Sequence, residues 1–159
     1  MLDGNSDDTI REILTTTRRI ALVGASAKSW RPSNGVMRFL LDRSYDVTPV
    51  NPGLAGQTIH GRTVVGSLAE AAPLDMVDVF RASVHVGELV ERVIALGART
   101  IWMQLGVVDH DAAVKARAAG IMVVMDRCPV IEDRRIGPFG TGLLSPTGPT
   151  QSNGPYSVQ

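Results

Sequence analysis

The stretch Ile20-Ala21-Leu22-Val23-Gly24-Ala25-Ser26-Ala27-Lys28-Ser29-Trp30-Arg31-Pro32-Ser33 decides the fold. Its first four residues are apolar without alternation, the pattern of a strand buried on both faces at the centre of a parallel sheet. Gly24 ends the run, and a polar loop leads to Pro32. Proline suits the first turn of a helix because its missing N–H has no partner to lose there. Beyond it Val36, Met37, Leu40 and Leu41 recur at helical spacing, with Arg38, Asp42 and Arg43 on the wet side. A buried strand, a loop and an amphipathic helix open a β-α-β unit.

The same alternation continues on both sides. Upstream, Ser6 is placed to cap a short helix, with Asp7 and Asp8 in its first turn, Ile10, Ile13 and Leu14 on one face, and Arg18 and Arg19 at its far end. Downstream, Val47-Thr48-Pro49-Val50 is a strand, and because proline cannot donate to a ladder it is an edge strand or is irregular at Pro49. Residues 63–65 are expected as a short extra edge strand and 68–72 as one helical turn. Met76-Val77-Asp78-Val79-Phe80, Thr100-Ile101-Trp102-Met103 and Ile121-Met122-Val123-Val124 are further strands. Between them lie a helix capped by Ser83 and stopped at Gly97, and one capped by Asp109 and stopped at Gly120. A short helix over 129–135 closes the series. Strands alternating with helices specify an α/β, doubly wound, mostly parallel sheet: a Rossmann-like single domain over residues 1–136. Residues 137–159 hold 5 of the 16 glycines and 4 of the 9 prolines and are expected as a flexible or extended tail.

Composition narrows the function. The chain has 159 residues, one domain's length, with 16 Lys+Arg balanced by 16 Asp+Glu, so no net field draws it to nucleic acid or anionic lipid. The single cysteine, Cys128, forms no internal disulfide, and His60, His85 and His110 lack metal-ligand spacing. No apolar run of membrane-spanning length and no leader are read, so the expected setting is cytoplasmic. Asp75 and Asp78 bracket a strand start and are expected as solvent or turn residues.

In a doubly wound sheet the ligand sits outside the carboxyl ends of the strands, at the switch point. The loop after Gly24 offers backbone N–H groups and the positive end of a helix dipole, with Ser26, Ser29 and Ser33 as hydroxyl donors and Lys28 and Arg31 as cations: a diphosphate cradle. It is not the G-x-G-x-x-G dinucleotide loop, because positions 26 and 29 are serine, and no Walker pattern is present. Asn51 stands where an NAD site places a carboxylate for the ribose hydroxyls. A phosphorylated ribose meets no acidic repulsion there.

Gly24-Ala25-Ser26, Arg31-Pro32-Ser33-Asn34-Gly35-Val36-Met37, Val50-Asn51-Pro52, Val77-Asp78-Val79-Phe80-Arg81, Trp102-Met103-Gln104-Leu105-Gly106 and Asp126-Arg127-Cys128-Pro129-Val130-Ile131-Glu132 follow one another in order. Together these blocks resemble the small stand-alone CoA-binding proteins, which share the CoA-binding domain of the succinyl-CoA synthetase α subunit, over roughly residues 10–136. The resemblance implies a site for coenzyme A or an acyl-CoA. In it Gly24, Ala25 and Ser26 approach the pyrophosphate, with Lys28, Arg31 and Ser33 nearby. Asn51 and Pro52 flank the adenosine, Phe80 and Arg81 line the adenine side, and Gln104 and Gly106 border the pantetheine path. One departure is that Gly53 and Leu54 follow Pro52, where the synthetase-type domain has a lysine for the 3′-phosphate. That charge is then expected from Lys28, Arg31 or Arg81, or selectivity for the 3′-phosphate is weak.

The leading expectation is a non-catalytic binding module with a small-molecule CoA ligand, of a size compatible with a homodimer. The alternative is an NAD(P)-linked oxidoreductase or a CoA-dependent transferase acting with a partner chain. Cys128 follows the last strand on the ligand side. The adjoining Arg127 and a helix start are surroundings that make a thiol reactive, here towards CoA itself; the competing and favoured expectation is a small buried cysteine.

Overall fold

The computed structural model describes residues 3–82 and 85–140. The expected cap Ser83 and the stretch 141–159 lie outside them. Helix α1 (Asp7–Thr16) is capped by Ser6, whose Oγ accepts the Thr9 N–H at 3.2 Å. The chain turns extended at Thr17, so Arg18 and Arg19 do not sit on the helix end as expected, and Arg19 opens β1 (Arg19–Val23). Helix α2 (Pro32–Asp42) and β2 (Asp46–Val50) follow. A 3-10 turn at Pro52–Leu54 precedes a two-residue hairpin of β3 (Thr58–Ile59) and β4 (Arg62–Thr63). Of the extra strand expected over 63–65, Thr63 belongs to that hairpin and Val65 bridges Val50 at the sheet edge. A 3-10 turn at Ala69–Ala71 leads into β5 (Met76–Val79). Then come α3 (Val86–Leu96), β6 (Thr100–Met103), α4 (His110–Ala118), β7 (Met122–Val124) and α5 (Pro129–Ile136).

The five long strands form one parallel sheet in the order β2-β1-β5-β6-β7. Pro49 lies on its edge strand, opposite Leu22, as a residue without an N–H must. Alternate residues feed two cores. Ala21, Val23, Val77, Val79, Ile101 and Met103 pack under α3 and α4, where Ala112, Ala113 and Ala116 allow close approach. Ile20, Leu22, Met76, Trp102 and Val124 pack under α1 and α2 with Ile13, Leu14, Met37 and Leu40. This is the Rossmann-like α/β architecture, and its switch point lies between the ends of β1 and β5. Packing runs past residue 136: Phe139 is buried, and its N–H donates to Asp133 Oδ1 at 2.8 Å.

One expectation fails inside the sheet. Asp75 is a turn residue, accepting the N–H groups of Arg18 and Arg19 at 3.2 and 3.0 Å. Asp78 is neither a turn nor a solvent residue. It sits mid-strand in β5, in register with Leu22 and Trp102, at 0% exposure, and neither carboxyl oxygen has a hydrogen-bond partner among the described residues. Burial pushes its pKa well above the usual carboxylate value.

Candidate ligand cavity at the switch point

Gly24 carries the chain out of β1 at φ +92°, where a Cβ would come within 3.2 Å of the Phe80 Cβ. Only a glycine lets the loop after β1 and the end of β5 approach this closely. The Gly24 and Ala25 N–H groups both donate to the Val50 carbonyl at 3.1 and 3.3 Å. Asn51 Nδ2 donates to the Ala25 carbonyl at 2.8 Å, while its Oδ1 accepts the Gly53 N–H at 2.9 Å. From the other side Asn34 Nδ2 donates to the Ser26 carbonyl at 2.9 Å, and the His60 ring lies 3.0 Å from Asn34 Oδ1. Two asparagines thus clamp the loop after Gly24 between β2 and α2.

The clamped loop forms one wall of a cavity of about 700 Å³. Its chemistry is that of an anion site. Arg31, the N-cap residue of α2, provides no side-chain cap; Pro32 has no N–H and the Asn34 N–H donates to the Arg31 carbonyl at 3.0 Å, so the donor the first turn keeps for a ligand is the Ser33 N–H. Lys28 and Arg31 line the cavity, both exposed, and no carboxylate is among the described residues lining it. Gln104, also on the wall, is 5% exposed, and its Oε1 has no hydrogen-bond partner among the described residues. Leu54, Phe80, Leu105 and Val107 supply apolar wall.

The structure brings Gly24, Ala25, Ser26, Lys28, Arg31, Ser33, Asn51, Phe80 and Gln104 together around this one cavity. Pro52 and Arg81 face a smaller hollow of about 80 Å³ on the opposite side of the crevice, with Ser67, His85 and Arg92. Phe80 and Arg81 separate because successive residues at a strand end point to opposite faces. Gly106 stands behind the wall formed by its neighbours Leu105 and Val107, at φ +80°, with its N–H donated to Asp126 Oδ1 at 2.7 Å. Cys128 also lines the large cavity. Its neighbour Arg127 brings no free cation, contrary to expectation: the guanidinium is held in the interior by Asp3 and Glu132 at 2.9 and 2.8 Å. Asn34 is the site residue that single-residue chemistry does not single out, although it falls inside one of the blocks that carry the resemblance.

A family model described as a CoA binding domain matches residues 18–134. The chain belongs to the CoA-binding domain family. The uncharacterized protein YneT of Bacillus subtilis (strain 168) is 36% identical over 120 residues, spanning 75% of this chain and 87% of that protein. A hypothetical protein from Pyrococcus horikoshii OT3 superposes with a TM-score of 0.79 at 40% identity, covering 85% of this chain and 94% of the other. A Thermus thermophilus structure superposes at 0.78 and 34% identity, over 82% and 98% of the two chains. An uncapped helix start and two cations fit phosphate, an apolar wall fits an extended aliphatic arm, and a buried unpaired amide oxygen fits an amide N–H. Among the described residues no helix is long and apolar enough to cross a membrane, and no cluster of His, Cys, Asp and Glu is arranged to hold a metal ion.

Proposed function

We propose that this domain binds coenzyme A or an acyl-CoA as a non-catalytic carrier or sensor. The observation that carries the reading is a carboxylate-free cavity at the switch point, where the uncapped start of α2 meets Lys28 and Arg31. In this reading the diphosphate rests on the loop 24–28 and the first turn of α2, with Ser26 and Ser33 donating. The adenosine crosses the crevice between Asn51 and Pro52 on one side and Phe80 on the other, bringing its 3′-phosphate towards Arg81. The pantetheine arm runs past Gln104 and the loop carrying Gly106.

Thermal unfolding with CoA, dephospho-CoA, NAD, NADP and ATP tests this. A ligand at about 100 times its Kd adds roughly 2.7 kcal/mol to the folded state. CoA is expected to raise the melting temperature and NAD to leave it unchanged. A shift with NAD or NADP alone moves the assignment to an oxidoreductase cofactor and overturns the reading of Asn51.

A further inference from the structure

We propose that Cys128 is a thiol-exchange site for the cofactor, forming a reversible mixed disulfide with CoA held in the cavity. The inference deepens the proposed function and rests on it. Cys128 is 8% exposed, unpaired with any other cysteine, and lines the same cavity as Ser26, Lys28 and Arg31. It is the N-cap residue of α5, yet its side chain makes no capping hydrogen bond, so the sulfur is not committed to the helix. Gln104 provides an independent pointer. Its Oε1 is buried in the cavity wall without a partner among the described residues, an acceptor left for an amide N–H.

The spacing agrees. In the order β2-β1-β5-β6-β7, the end of β1 and the end of β7 are three strand spacings apart. At about 4.8 Å each, that is roughly 14 Å across the rim of the sheet. The pantetheine arm has about thirteen bonds from phosphorus to sulfur. At the ~1.2 Å of advance per bond of an extended peptide it reaches about 15 Å. An arm anchored by its phosphates at Gly24 is therefore long enough to pass Gln104 at the end of β6 and reach Cys128, four residues beyond β7, where the chain folds back and the Arg127 N–H donates to the Met103 carbonyl at 3.3 Å.

The exchange balances without an outside oxidant when the co-reactant is the symmetrical disulfide of CoA. Cys128 Sγ, as the thiolate, attacks one sulfur of that disulfide, and the S–S bond between the two CoA halves breaks. A new S–S bond joins Cys128 to the half in the cavity. The other half leaves as a thiolate and takes up the proton that Cys128 released. The Cys128 sulfur is oxidised, and the departing sulfur is reduced to a thiol.

The full chain is incubated with CoA disulfide or with pantethine, which carries the same arms and disulfide but no nucleotide, and followed by intact mass. The expected result is a single CoA adduct at Cys128, reversed by dithiothreitol. It should form at least tenfold faster than the pantetheine adduct at equal concentration, be slowed by excess reduced CoA, and be absent from Cys128→Ser and Cys128→Ala. Equal rates for the two disulfides, or no adduct, overturn the proposal. Calorimetric titration of the Cys128 variants and the wild type with reduced CoA separates the two readings. Retained CoA binding without an adduct removes the exchange site alone, whereas loss of CoA binding by the wild type removes both.

Discussion

Asp78 occupies one position in the central strand, and its chemistry is set entirely by that position. Leu22 and Trp102 flank it in register, and the next residue on the same face, Phe80, lines the ligand cavity. The carboxyl is therefore sealed one layer beneath the site, with no partner for either oxygen among the described residues and a raised pKa caused by burial. Below the unfolded-state value near 3.9 both folded and unfolded chains carry the proton, and Asp78 costs nothing on account of its charge. As the pH rises towards the raised folded value, the unfolded chain ionises while the folded one holds its proton. Stability then falls by about 1.4 kcal/mol per pH unit. Asp78→Asn removes this titration at nearly constant volume. Urea denaturation at pH 4.5 and 7.5 is expected to show the variant gaining on the wild type by at least about 1 kcal/mol across that interval. The same difference at both pH values would show that Asp78 is not the group that titrates.

At the scale of elements, the site depends on loops tied to each other rather than to the sheet alone. Asn51→Ala removes the donor to the Ala25 carbonyl and the acceptor for the Gly53 N–H. The expected cost is about 1–2 kcal/mol in chemical denaturation, with weaker CoA binding from a loosened first loop. An unaltered CoA affinity would show that the clamp does not shape the site. A second tie anchors the N-terminal segment. Asp3 accepts from Arg127 and from the Met125 N–H. Burial works against its charge, but the bonds from Arg127, Asn5 and Met125 outweigh this and hold its pKa at about 2. Because the folded value lies below the unfolded one, this stabilisation is complete above the unfolded value of 3.8 and disappears as the pH falls through about 2. Asp3→Asn is expected to cost about 3 kcal/mol at neutral pH, with the gap to the wild type narrowing in acid, as read by denaturation across that range. These ties also mark what the sequence could reveal. The strands, the Ser6 and Asp109 caps and the Gly97 stop were legible because each depends on neighbouring residues. Asn51 is 26 residues from Ala25, and Asp3 is 124 from Arg127, so nothing local announces either bond. Asp78 was misread because one polar letter beside Asp75 looks like a turn, and only the sheet register shows it to be interior.

At the scale of the whole molecule, the crossing of the chain from β2 over β1 to β5 opens a crevice with a hollow on each face. The large hollow carries Lys28 and Arg31, and the small one carries Arg81 and Arg92 beside Glu88. Two separated cationic places suit a ligand with two separated phosphate groups, and CoA has a diphosphate and a 3′-phosphate. In the proposed binding mode Arg81, which shares the small hollow with Pro52, takes the part of the lysine absent after Pro52. This division predicts a crossed pattern in calorimetric titrations. Arg31→Ala should weaken CoA and dephospho-CoA alike, by about tenfold or more, since charge-assisted hydrogen bonds contribute roughly 1.5–3 kcal/mol. Arg81→Ala should weaken CoA by a similar factor and leave dephospho-CoA unchanged. In the double variant the two losses should add, because the residues share no partner. If Arg81→Ala affects both ligands equally, Arg81 serves the adenosine rather than its phosphate. If it affects neither, the small hollow lies outside the ligand's footprint, and Lys28 or Arg31 must serve both phosphate groups.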